Sequence, residues 1–283
     1  MRVPAPFLWA GGTFAVLALA VTLAGARSAA APDPLPAGGT ERTPVVVELF
    51  TSEGCSSCPP ADDVMTKLVS QQPVAGAEII GIGEHVDYWD RLGWRDPFSS
   101  ATFSARQSEY ASRVFHTADI YTPQMVVDGR EQFIGSDYRA ATTAIARAAS
   151  LPGARMQLTL KVGQVSAPSA QVTTQVQSPV GVPLTGTAEV FLAVTEDGLV
   201  TQVRRGENGG RQLRHSAAAR TITSIGVPRA DGGSWSVTTN VHISPDWNLG
   251  RTRIVAFAQD RATKRILGAT TASVLPHTEA LKP

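Results

Sequence analysis

The sequence predicts two domains in series, an α/β unit over residues 44–152 and an all-β sandwich over residues 153–275. An almost unbroken apolar run, Val45 to Phe50, is followed by a turn and a helical stretch, and the pattern recurs around Ile79, Ile80 and Ile82. Such runs mark parallel strands covered on both faces. The only two cysteines in 283 residues, Cys55 and Cys58, fall at the first of these strand-to-helix junctions. From residue 154 onward, short segments rich in Val, Thr, Leu and Ile alternate with Gly, Pro and Asn turns, the rhythm of a sandwich.

The elements follow in order. Arg2 precedes an apolar run from Phe7 to about Ala26, and small residues follow at Ser28 to Ala31. This is the order of an export signal, residues 1–31, with cleavage expected after Ala30. An uncleaved anchor is the alternative, because about 20 apolar residues can span a bilayer. Either way the remainder is expected in the periplasm or secreted. No cysteine follows the run, which argues against a lipid anchor. The Pro/Gly-rich residues 32–43 read as a linker. After the strand Val45–Phe50, Glu53-Gly54 break the run, Ser56 and Ser57 suit a helix N-cap, and Pro59 and Pro60 are tolerated in a first turn. The helix Ala61–Ser70 aligns Val64, Met65, Leu68 and Val69, and a strand Glu78–Glu84 follows. Beyond the aromatic segment His85–Phe98, a helix is expected from about Ser100 to Phe115, capped by Ser99. Tyr121-Thr122-Pro123-Gln124 leads into a strand, Asp128-Gly129 signals a hairpin, and the return strand Glu131–Ile134 precedes a helix from Asp137 to Ala149. Eight further strands lie between Met156 and Val274, and residues 276–283 form a tail.

Hydrophobic residues at 43% and charged residues at 17% describe a globular chain, and a net charge of +1 gives no electrostatic case for nucleic acid. Two cysteines cannot build a multi-disulfide scaffold; at C-x-x-C spacing they read as redox-active or, less often, as half of a metal site. Thiol–disulfide exchange needs an attacking thiolate, a second thiol within reach and access for a partner. The positive end of a helix favours thiolate, so Cys55 is assigned as nucleophile, expected to be exposed, and Cys58 as resolving thiol. A permanent structural disulfide is the alternative, although a two-residue loop constrains little chain. Glu48, Glu53, Asp62 and Asp63 oppose ionisation of a nearby thiol, so reductant, oxidant and isomerase all stay open. His85 follows the second strand and reads either as a proton shuttle or metal ligand or as a packed structural histidine. Cys55, Cys58 and His85 together would suit copper, the one metal alternative, though no Met-rich tract or second cysteine pair supports it. No cofactor is expected. Tyr88, Trp89, Trp94 and Phe98, with Asp87, Arg91, Arg95 and Asp96, form either a substrate rim or a self-packed loop. Arg204 to Arg211, with Arg214 and His215, reads as a solvated hairpin or, more sharply, a docking patch for an acidic partner. The expected partners are protein thiols and disulfides. A membrane enters only through an uncleaved N-terminus, and the oligomeric state is open.

The order β-α-β-α-β-β-α with C-x-x-C at its first junction and Thr122-Pro123 before the third strand resembles the thioredoxin fold. That resemblance implies a cis bond at Pro123, facing the two sulfurs, with the Thr122 backbone free to pair with a substrate strand. It also sets Glu48 near a buried acid that relays a proton to the resolving cysteine, at a spacing one residue longer, with a capping or solvent-facing glutamate as the alternative. The Ser56-Ser57 pair departs from the Gly-Pro of thioredoxin, and Gly54 stands where that family has tryptophan. Exported copper chaperones of this fold place three residues between their cysteines, not two. Glu48 to Pro60, His85 to Phe98 and Tyr121 to Gln124 more closely resemble an exported bacterial family called domain of unknown function 1223, over nearly all of the chain after the signal. The expectation is an exported thiol–disulfide oxidoreductase with a thioredoxin-like domain and a C-terminal sandwich. A copper-binding chaperone and a redox-silent structural or interaction module are the alternatives.

Overall fold

Two of the three α-helices among the described residues start at a side-chain cap, and the other opens on prolines. The computed structural model describes residues 42–275 except 152, 154, 231 and 232, so the expected signal, most of the linker and the tail lie outside the described residues. The chain runs β1 (Thr43–Thr51), α1 (Pro59–Gln71), β2 (Ala77–His85), a 3-10 turn (Asp87–Leu92), α2 (Ala101–Arg113), β3 (Gln124–Val127), β4 (Glu131–Ile134) and α3 (Tyr138–Ser150). Strands β5 (Gln157–Ser166), β6 (Ser169–Gln177), β7 (Leu184–Thr185), β8 (Ala188–Glu196), β9 (Leu199–Gln202) and β10 (Gln212–His215) follow. The chain continues through β11 (Ala218–Gly226), β12 (Arg229–Ala230), β13 (Ser234–His242), β14 (Thr252–Asp260) and β15 (Ile266–Ser273). Pro59 and Pro60 open α1, where a missing N–H leaves nothing unpaired. The Ser100 side chain accepts from the Thr102 N–H to cap α2, and Asp137 accepts from Ala140 to cap α3. Ser100 thus takes the capping place expected of Ser99. No helix among the described residues is long and apolar enough to cross a membrane.

The expected fold class is overturned. Strand makes up 45% of the structure and helix 21%, and a large mixed sheet replaces an α/β domain followed by a separate sandwich. Its eight strands run β15-β14-β8-β11-β2-β1-β3-β4, crossing residue 152, where the sequence divides the chain. β1 and β2 are parallel, with Val45 opposite Ile79 and Thr51 opposite His85. On the far side of β2, β11 begins parallel through the pair Ala218 and Gly83 and then runs antiparallel to β8. The strands read as a sandwich therefore extend the edge of β2. An alternating strand pattern specifies which side chains are buried and leaves the pairing partner open. A second sheet, β13-β6-β5, is antiparallel, and β10-β9 and β12-β7 form two short ribbons.

Side-chain alternation divides the large sheet into two faces. Val45, Val47 and Leu49 of β1 pack with Val64, Met65 and Leu68 of α1 and Ala141 and Ile145 of α3. On the other face Val46, Ile80 and Ile82 meet Phe103 of α2, with Phe257 and Ala193. The three-stranded sheet covers the remaining strands, with Leu158, Val172 and Val176 against Val190, Leu192, Ile254 and Ala256. At the β3–β4 turn Asp128 and Gly129 both have positive φ, 50° and 64°. A Cβ on Gly129 would stand 1.9 Å from the Lys264 carbonyl oxygen, so glycine is required there.

Candidate functional site

Parallel pairing brings the C-terminal ends of β1 and β2 side by side, and α1 begins just beyond them. Cys55 and Cys58 lie in that connection and are joined as a disulfide, with Cα atoms 5.4 Å apart. Cys58 takes the N-cap position, displacing the serines expected there. Its carbonyl accepts from the N–H groups of Ala61 and Asp62, at 2.8 and 3.1 Å. Cys55 Sγ is 3.3 Å from Ser57 Oγ. Both cysteines are 0% exposed, although Ser56 and Ser57 between them are exposed. The expected accessibility of Cys55 is thus corrected: the disulfide is covered.

Around this turn the fold gathers buried acids and bases. The Glu53 N–H donates to Asp96 Oδ2 at 2.8 Å, and the same oxygen is 2.7 Å from His85 Nδ1. The Glu53 carboxyl group accepts from Trp94 Nε1 at 2.8 Å and meets His215 Nε2 at 3.0 Å. His215 Nδ1 faces Asp62 Oδ2 at 3.7 Å and has no hydrogen-bond partner among the described residues. Asp62 in turn accepts from the Thr51 hydroxyl at 3.0 Å. The two imidazoles stand edge to face with centroids 4.6 Å apart, and Phe98 packs on both. Burial pushes the Asp62 carboxyl up to about 7, against the opposing pull of His215 and the Thr51 hydrogen bond. Burial also pushes Asp96 upward, but the His85 imidazole and the N–H groups of Glu53 and Phe98 outweigh it and hold Asp96 below the usual carboxylate range. With Glu53 meeting Nε2, the free nitrogen of His215 faces a carboxyl group able to hold a proton near neutrality.

The cover comes from residues far along the chain. Asn208, 0% exposed, donates through Nδ2 to the carbonyls of Glu53 and Cys55, both at 2.9 Å. Arg211 steadies it by donating to Asn208 Oδ1 at 2.7 Å. Glu207 Oε2 accepts from the Ser56 N–H at 3.0 Å. The Arg204–Arg211 segment is therefore docked on the cysteine turn rather than free in solvent. Trp94 and Asp96 likewise fasten the aromatic segment to Glu53, so it is neither a bare rim nor packed only on itself.

The other sequence-predicted site residues divide between two places. His85 joins the cluster through Asp96. Thr122–Pro123 is a cis bond; Thr122 Oγ accepts from Trp89 Nε1 at 2.8 Å, and a Cβ on Gly54 would stand 3.2 Å from Trp89 Cβ. Glu48 is on the α2 face, opposite α1, with Arg106 Nε at 2.5 Å and Tyr110 Oη at 2.5 Å. Glu84 is 3.6 Å from Arg106 Nε, and its carboxyl group has no hydrogen-bond partner among the described residues. Burial, followed by the neighbouring Glu48, pushes Glu84 well above the usual carboxylate range. The geometry therefore keeps Glu48 with Arg106 and away from the cysteines. As for copper, His85 is committed to Asp96, and no group of three or more His, Cys, Asp or Glu among the described residues is arranged to hold a metal. His215 and Asn208 escape sequence reasoning as site residues: 150 or more residues separate them from the turn they contact, and only the charged composition of their segment marked it.

No functionally curated protein matches the sequence. Among solved structures, protein AGR_C_4864 from Agrobacterium tumefaciens is 23% identical with a TM-score of 0.60, over 83% of this chain and 96% of that one. HBP35 of Porphyromonas gingivalis is 15% identical with a TM-score of 0.61, over 84% and 77% of the two chains. These likenesses concern the fold. The profile of the family described as "Protein of unknown function (DUF1223)" matches residues 46–259, and the chain belongs to that family.

Proposed function

We propose that this protein exchanges disulfides with protein thiols outside the cytoplasm, through Cys55 and Cys58. The observation that carries the reading is a C-x-x-C disulfide at a helix N-cap, beside a buried carboxyl group poised to hold a proton near neutral pH. A partner thiolate attacks Cys55, a mixed disulfide forms, and Cys58 leaves as thiolate. Asp62, one turn into the same helix, is our candidate to supply the proton that Cys58 takes up, and its Oδ2 lies 3.7 Å from His215 Nδ1. The second partner thiol then attacks the mixed disulfide and releases Cys55. The partner dithiol is oxidised to a disulfide and the protein disulfide reduced to a dithiol. The reverse sequence oxidises the protein, so the partner's potential sets the direction. The N-terminal export pattern supports an oxidising compartment, where such a bond persists.

The complete burial of both sulfurs favours a second reading, a permanent bond in a redox-silent module. Trapping separates the two. A Cys58→Ser variant in the native compartment should accumulate mixed disulfides that disappear when Cys55 is also replaced. Absence of any Cys55-dependent adduct would refute exchange.

A further inference from the structure

Exposed arginines lie on the two segments that contact the cysteine turn, in a chain of net charge +1. Two segments meet there. A Cβ on Gly93 would lie 3.5 Å from Gly206 Cα, and one on Gly206 would lie 3.2 Å from Trp94 Cβ. Each segment also grips the cysteine turn, one through Trp94 and Asp96 and the other through Glu207 and Asn208. Within two residues of the Gly93–Gly206 contact, Arg91, Arg95, Arg204 and Arg205 are all exposed. None of the four makes an ion pair or a side-chain hydrogen bond among the described residues. Arg214 is exposed on the adjoining β10. The carboxylates on these segments keep their charge but are turned to backbone or hydroxyl donors, Glu207 to the Ser56 N–H, Asp90 to the Ser99 hydroxyl and Asp87 to the Ser104 hydroxyl, and none pairs with an arginine of the patch among the described residues. Leu92, beside Arg91, is 55% exposed and adds an apolar contact.

We propose that this arginine rim docks an acidic polypeptide segment next to the cysteine of the exchange partner, an inference that rests on the redox reading above. Four exposed arginines on two touching segments, without side-chain partners among the described residues, match a run of carboxylates, each able to take a two-pronged hydrogen bond. A polypeptide fits better than another polyanion because the group beneath the rim is a disulfide, and polypeptides carry the sulfur it exchanges with.

The test has two arms on the full chain. In the first, fluorescence anisotropy follows cysteine-free peptides with acidic, neutral and basic sequences binding to the oxidised protein. The acidic peptide should bind at least about 10-fold more tightly than the neutral one at low salt. The preference should vanish near 1 M salt, where the Debye length is about 3 Å. Arg91→Glu with Arg95→Glu, and separately Arg204→Glu with Arg205→Glu, should abolish it; glutamine at the same positions serves if charge reversal unfolds the chain. In the second arm, the reduced protein is mixed with disulfide-bonded peptides bearing the same flanks. Rates should rank acidic, neutral, basic, and reduction of an uncharged small disulfide should be unchanged in the variants. Equal affinity for all three peptides overturns the docking proposal even if exchange proceeds. So does binding to phosphatidylglycerol vesicles as tight as binding to the acidic peptide. Acidic-peptide binding without exchange by any disulfide overturns the redox reading and leaves the docking surface standing.

Discussion

Asn208→Ala tests whether the docked segment controls access to the disulfide. In the folded protein the Asn208 amide donates two hydrogen bonds of 2.9 Å, to the carbonyls of Glu53 and Cys55, inside a site with no exposure. Each such bond contributes a net of about 1 kcal/mol. Truncation therefore weakens the closed arrangement by about 2 kcal/mol, which raises the open fraction roughly 30-fold, since 1.4 kcal/mol corresponds to about a factor of ten. Both sulfurs are covered, so a reductant must wait for that opening, and its rate follows the open population when reclosing is fast. The assay is reduction of Cys55–Cys58 by a water-soluble phosphine, quenched with an alkylating reagent and read by mass. Asn208→Ala should react about 30-fold faster than wild type while its circular dichroism spectrum is retained. A folded variant that reacts at the wild-type rate would refute the gating argument, because the sulfurs would then be reached by another route.

Three further outcomes follow from the same geometry. Burial raises the Asp62 carboxyl from 3.8 to about 7, so between those values the folded protein holds a proton that the unfolded chain has released. Its stabilising contribution is full below about pH 4 and is lost as pH rises through 7, by up to about 4 kcal/mol. In urea titrations, Asp62→Asn should therefore gain on wild type as pH rises from 4 to 8, and a constant difference would count against the shift. Arg106→Leu strands Glu48 and Glu84 on the α2 face and should cost about 3–5 kcal/mol in urea unfolding. It should leave exchange per folded molecule unaltered, since neither acid touches the cysteine turn. Gly129→Ala places a Cβ 1.9 Å from the Lys264 oxygen at a φ of 64°, and should cost roughly 2–5 kcal/mol through overpacking and left-handed strain.

What the sequence reveals and what it hides follows from the range of each interaction. The apolar run at Val45–Phe50, the Asp128-Gly129 hairpin and the helices after Pro59 and Asp137 are local, and the structure has elements at all of them. The expected fold class fails at a contact that local pattern does not encode. β11 joins β2 through the single pair Ala218 and Gly83, and neither alternation nor turn residues announce it. The site divides the same way. Cys55, Cys58 and His85 are visible as residue types at a strand–helix edge. His215 and Asn208 reach that edge only because β10 and its preceding segment fold back over it. Glu48 shows the converse: the thioredoxin resemblance implies a link to the resolving cysteine, but strand alternation turns the side chain to the α2 face, where Arg106 holds it.

The central claim is that Cys55 and Cys58 cycle between disulfide and dithiol. Equilibration of the purified protein against glutathione buffers of graded potential measures this directly. Exchange predicts a midpoint between about −270 and −120 mV, the span of known protein oxidoreductases. A midpoint below about −300 mV, where permanent structural bonds lie, would contradict it.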